Sequence, residues 1–154
     1  VCQVFKDTGM DHVNSVLASG NIIFSTDRPA DELKTILEAA MSAYFSYEAF
    51  LFVKSQEEIK LFRNNIPFES HSDFHIYAFV GLPGTEAVLM NEFNSTSKAD
   101  HEKAKVINGV FYWQVPKGNT LDSTFGKILG KKSLKDKFTS RNVNTIDKIL
   151  KIMH

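Results

Sequence analysis

Arg141-Asn142-Val143-Asn144-Thr145 gathers a guanidinium, two carboxamides and a hydroxyl within five residues, directly ahead of an amphipathic run. A helix N-terminus carries partial positive charge and amide hydrogens without intrahelical partners, so donors clustered there suit a phosphate or a carboxylate. The same residues also serve a purely structural end, in which Asn144 or Thr145 caps the helix, Asn142 satisfies a turn and Arg141 pairs with an acid. Asp147, three residues beyond Asn144, is spaced to complete such a cap. Lys127, in the same basic stretch, is a further cation that a shared ligand could use. A second candidate is Ser19-Gly20-Asn21, whose backbone amides and hydroxyl could cradle an anion as a nest does. Its structural alternative is a hairpin turn, with Gly20 at positive φ and Asn21 bonding its own backbone.

Other chemistries lack their parts. His71 and His75 lie four apart but lead into a β-prone run, where that spacing does not converge on one ion. The single cysteine, Cys2, supplies no thiolate set, so neither a metal nor another cofactor is expected. Adjacent acids at Asp31-Glu32 and Glu57-Glu58 read as first-turn complements to helix dipoles, not as paired catalytic carboxylates. There is no nucleophile elbow, phosphate-binding Gly-Lys loop or dinucleotide fingerprint. Phe111 and Trp113, like His75, Tyr77 and Phe79, alternate along strands. Exposed, they could stack on bases; beneath helices they form core, which is the expectation here.

Charge is unevenly spread. Residues 1–102 hold 7 Lys/Arg against 15 Asp/Glu, a net of −8, whereas residues 103–154 hold 11 against 3, a net of +8. Such asymmetry suits an anionic partner, nucleic acid included, although lysines on a solvated face give the same count. No apolar run approaches the roughly 20 residues of a membrane-spanning helix, so no membrane association is expected. One cysteine and no visible signal peptide fit a reducing, cytoplasmic setting.

These residues must be positioned by short elements. Val1–Met10 reads as a helix ending at Gly9, followed by a hairpin of His12–Leu17 and Asn21–Ser25. Leu33, Ile36, Leu37, Ala40, Met41 and Tyr44 recur at helical spacing. Glu48–Lys54 reads as a strand, and Ser55 with Glu58 as a capping box opening a helix to about Arg63, stopped by Pro67. Phe74–Gly81 is a strand, and Pro83 and Thr85 open a helix. Lys103–Ile107 and Val110–Val115 flank Asn108-Gly109, the strongest hairpin signal in the chain. Leu121–Leu129 is helical, Phe138–Arg141 a short strand, and Ile146, Ile149, Leu150 and Met153 mark the final helix. The fold class is therefore α+β, read as two similar ferredoxin-like β-α-β-β-α-β subdomains, residues 1–70 and 71–154, the first lacking its leading strand.

Three segments in order, Leu17-Ala18-Ser19-Gly20-Asn21-Ile22-Ile23-Phe24, Asn64-Asn65-Ile66-Pro67-Phe68 and Thr139-Ser140-Arg141-Asn142-Val143-Asn144-Thr145, resemble the bacterial domain-of-unknown-function 1697 family. The resemblance runs along the whole chain and implies a cytoplasmic α+β protein of a family with no assigned activity. It also implies an opening strand and a Gly-Ile-Asn-Val-Gly-Gly loop ahead of Val1, so the chain reads as truncated at its start. Two positions depart from the pattern: Val143 stands where the family has Trp, and Ser123-Thr124-Phe125 replaces a Ser-Lys-Leu segment. The leading expectation is a non-catalytic module binding an anionic partner near Arg141, Asn142, Asn144 and Lys127. An enzyme with its site between the halves, using the absent glycine-rich loop, is the alternative. A homo-oligomer joined through an open sheet edge is a third.

Overall fold

The computed structural model describes residues 2–16, 20–45, 51–69, 73–96, 98, 102–118, 124–129 and 137–153, the side chains of residues 124, 127 and 128 aside. The chain order is α1 (Cys2–Asp7), β1 (Asp11–Val16), β2 (Asn21–Ser25), α2 (Ala30–Phe45), α3 (Gln56–Asn64), β3 (Phe74–Gly81), α4 (Thr85–Asn94), β4 (Lys103–Ile107), β5 (Val110–Pro116), α5 (Thr124–Leu129), β6 (Phe138–Asn142) and α6 (Val143–Ile152). The fold is α+β, with one two-stranded and one four-stranded sheet, both antiparallel. Two compact units divide it, residues 1–60 with 147–154, and residues 61–146.

In the first unit, α1 stops where Gly9 adopts a φ of 90°, a conformation that costs glycine little and other residues more. The β1–β2 hairpin pairs Val16 with Asn21, and the Asn21 carboxamide donates to the Val16 carbonyl at 2.9 Å. Val4, Phe5, Met10, Leu33, Leu37 and Met41 form the core, with Phe24 set edge-on to Phe5 at 5.3 Å between ring centroids. The helical period predicted for residues 33–44 thus delivers Leu33, Leu37 and Met41 to one face.

The strand expected at Glu48–Lys54 does not form in its described part, residues 51–54, which lie in no ladder. The backbone of Leu51 is satisfied from α2 instead. Its N–H donates to Glu38 Oε2 at 2.6 Å, and its carbonyl accepts from Lys34 Nζ at 2.8 Å, within a Lys34–Glu38 ion pair of 2.6 Å. Both polar groups at this position are thereby met without a neighbouring strand, and Leu51 and Val53 still pack on the core. The capping box is present as expected: Glu58 N–H donates to Ser55 Oγ, and Ser55 N–H to Glu58 Oε1.

In the second unit the sheet order is β4-β5-β3-β6. Asn108 and Gly109 both take positive φ, 50° and 79°, closing the β4–β5 hairpin as their types require. The register sets Tyr77 opposite Trp113 and Phe79 opposite Phe111, and these side chains share a core with Leu89, Phe93, Val115 and Phe125. Trp113 and Phe111 are almost wholly buried, so core packing, not base stacking, is their use. The opposite sheet face is buried too, at Ile76, Ala78, Tyr112 and Gln114. There the Tyr112 hydroxyl donates to the Phe62 carbonyl at 2.8 Å, and burial pushes its pKa up to about 12. At the sheet's outer strand β4, Lys103 and Lys105 are exposed, the charge pattern that discourages edge-to-edge pairing.

Gly81, at the end of β3, has no room for a side chain. A Cβ there would sit 2.7 Å from the Lys137 carbonyl oxygen and 3.1 Å from Phe138 Cβ. That carbonyl is held by the Leu82 N–H at 2.9 Å, so it cannot retreat without losing a bond. Gly81→Ala is expected to destabilise the protein by about 1–3 kcal/mol through forced backbone separation, measured as a lowered urea midpoint. An unchanged midpoint would show that β3 and β6 have slack there.

Candidate functional site

Strand β6 runs into α6 without a loop: Asn142 is the last strand residue and Val143 the first helical one. The helix therefore begins earlier than the expected cap at Asn144 or Thr145. Asn142 is the cap, its Oδ1 accepting the Asn144 N–H at 2.9 Å. Asn144 lies within the first turn, exposed, and Thr145 follows it half-buried. The reason is local: with Tyr77 still pairing Asn142, extended backbone persists to that residue, and the apolar face of α6 starts at Val143, which is buried along with Ile146.

The other end of the Asn142 carboxamide meets β3. Nδ2 lies 3.0 Å from His75 Nδ1. His75 stands beside the Tyr77 ring, 5.8 Å between centroids, and Tyr77 stacks on Trp113 at 5.6 Å. Trp113 Nε1 in turn donates to the buried Glu102 carboxylate at 2.9 Å. Burial, and then the positive charge of Lys117, lower the His75 pKa from its usual value.

Arg141 is not gathered with Asn142. Alternate strand residues point to opposite sheet faces, and the register places Arg141 opposite Ala78 while Asn142 faces Tyr77. The Arg141 guanidinium is half-buried and donates through one terminal nitrogen to Thr139 Oγ1 and the Ser140 carbonyl. Burial lowers its pKa. Lys127 lies on α5, its side chain outside the described residues. Of the hairpin candidate, Ser19 lies outside the described residues, Gly20 has the expected positive φ of 85°, and Asn21 closes the hairpin. Asn142 and Asn144 are thus brought together, with His75 as an addition that sequence reasoning missed. The signal for His75 was available in principle. It lies two residues before Tyr77 in an alternating strand, so any strand bonded alongside Tyr77 would present its side chain to the same face. Among the described residues, no group of three His, Cys, Asp or Glu side chains could hold a metal ion. No described helix is long and apolar enough to cross a membrane.

The molecule is an α+β protein whose polar cluster lies at a strand-to-helix junction. It belongs to the family described as protein of unknown function (DUF1697), whose pattern matches residues 1–112. The β6–α6 junction lies outside that matched stretch. Among solved structures the chain is similar to the conserved bacterial protein SP0830 from Streptococcus pneumoniae, with a TM-score of 0.76 at 22% identity, covering 99% of this chain and 86% of that one. At that identity the likeness establishes the fold. No curated protein matches the chain.

Proposed function

We propose that this protein is a non-catalytic binding module for an anionic, phosphate-bearing partner, nucleic acid included, received at the start of α6. The observation that carries the reading is the charge pattern of helix starts. The first turns of α2, α3 and α4 each hold an acid, namely Asp31 and Glu32, Glu57 and Glu58, and Glu86, whereas those of α6 and of the six-residue helices α1 and α5 hold none; of these three, α6 is the longest, at ten residues, and its first turn exposes Asn144. A helix end left without a carboxylate keeps its attraction for an outside anion. The +8 charge of residues 103–154, with Lys103, Lys105, Lys117 and Lys137 exposed in the same unit, supports it. Arg141 contributes as a neighbouring cation and not as a fork closing on the ligand, since its nitrogen is engaged within β6.

The test is titration with inorganic phosphate and a short single-stranded oligonucleotide, followed by calorimetry. Affinity for the oligonucleotide should fall steeply as salt rises. Asn144→Asp, which places a carboxylate in the first turn, should weaken binding by about tenfold or more while leaving the helix as stable or firmer. Arg141→Ala should weaken it to a lesser degree. Equal affinity in Asn144→Asp and the parent would end the reading.

Duplication of one ferredoxin-like plan is supported by the second unit, whose β-α-β-β-α-β order and antiparallel β4-β5-β3-β6 sheet are those of that motif. The first unit shares with it a hairpin followed by a helix. A cytoplasmic setting agrees with the lone, half-buried Cys2.

A further inference from the structure

We propose that His75 and Asn142 form a latch, opened by acid, that ties β3 to the start of α6. Because Asn142 Oδ1 accepts the Asn144 N–H at 2.9 Å, the atom turned toward His75 is the amide nitrogen Nδ2, at 3.0 Å from Nδ1. An NH2 group only donates, so Nδ1 must carry its lone pair, and the neutral ring bears its proton on Nε2. Adding a proton to the ring places N–H on Nδ1, facing the donor Nδ2. The bond is then lost. Rotating the carboxamide to offer Oδ1 would restore a partner for His75 only by taking the acceptor from Asn144, so one side chain serves two bonds that the imidazolium form cannot share.

The surroundings favour the closed state near neutrality. Lys117 lies just beyond β5, two residues from Val115, the pairing partner of His75. On β3 itself the neighbouring side chain on that face is Tyr77, and Asp73 lies exposed two residues before the ring. On β6, Arg141 points to the opposite sheet face, and the first turn of α6 brings no acid. Burial and Lys117 together set the folded-state pKa of His75 below 6.5. The sign follows: above pH 6.5 the ring is neutral in folded and unfolded chains alike, and its contribution to stability is complete. Below that, the unfolded chain takes up a proton that the folded one resists, so stability declines as pH falls toward the folded pKa.

The full chain is to be studied by long-range proton–nitrogen NMR of the His75 ring from pH 8 to 5, with thermal unfolding and exchange of the Asn144 amide. In the parent, the neutral ring should carry its proton on Nε2 and titrate below 6.5, and protection of the Asn144 amide, taken relative to the intrinsic exchange rate at each pH, should fall as it titrates. Asn142→Asp retains a cap acceptor but prefers imidazolium, so His75 should titrate at higher pH than in the parent and the loss of stability with acid should shrink. A parent ring protonated on Nδ1 at pH 8 would overturn the latch, as would the same His75 titration in both proteins. The tautomer is read on the parent alone, so the idea stays exposed to refutation even where the variant fails to fold.

Discussion

Truncation of Trp113 to alanine lowers stability by about 3–5 kcal/mol, the largest single effect expected in the molecule. The indole is only 1% exposed and touches aromatic rings on several sides: Tyr77 is stacked at 5.6 Å, Phe125 lies edge-on at 5.1 Å and Phe79 at 6.4 Å. Interiors pack at crystal-like density, so the void left by the ring cannot be closed by small adjustments of its neighbours. A second cost comes from Glu102, only 6% exposed, whose carboxylate loses the Nε1–H donor. Trp113→Phe separates the two, because it keeps most of the apolar volume and removes the donor. That variant should lose about 1–3 kcal/mol, the cost of a buried acceptor deprived of a partner. Urea unfolding followed by circular dichroism measures both. Equal losses in the two variants would mean that packing contributes little and the indole–carboxylate bond nearly all.

Leu37→Ala is the counterpart in the first unit, with an expected loss of about 2–5 kcal/mol. Leu37 is fully buried at the centre of the cluster formed by Val4, Phe5, Met10, Leu33 and Met41. Among the described residues the sheet of this unit has two strands, and a two-stranded hairpin is marginal in water by itself. Its stability therefore rests on what α1 and α2 bury against it, and Leu37 is the most completely buried member of that cluster. Hydrogen exchange localises the effect: amides of α1, α2 and the β1–β2 hairpin should lose protection. Retained protection there would show that the cluster tolerates a cavity at its centre.

Local signals in the sequence carried the elements far, and they failed where the deciding partner was distant. Asn108-Gly109 announces its hairpin because only a few residue types accept two successive positive φ values. Ser55 and Glu58 announce a helix start by chemistry contained in four residues. The apolar period of α2 points inward as read. By contrast, residues 51–54 have the composition of a strand, but strand formation needs a neighbour, and Lys34 and Glu38 of α2 supply the hydrogen bonds of Leu51 instead. The start of α6 was misplaced for a similar reason. Asn142 and Asn144 are equally good caps by type, and the pairing of Asn142 with Tyr77 decides between them. The candidate site was legible as a list of donors and illegible as a geometry. Arg141 and Asn142 are neighbours in sequence, yet the pleat sends them to opposite faces once the strand extends through both. His75 could be found only through the β3–β6 register, which joins residues 67 positions apart.

The chain's one indole lies in the dry layer of the second unit. Its fluorescence should be shifted to the blue and should redden when that layer admits water, with the stacked Tyr77 ring as a nearby donor of excitation energy. The first unit has phenylalanine and tyrosine but no tryptophan. Intrinsic emission excited at the red edge therefore follows melting of one unit and is silent on the other. The protein carries its own optical thermometer on one side only.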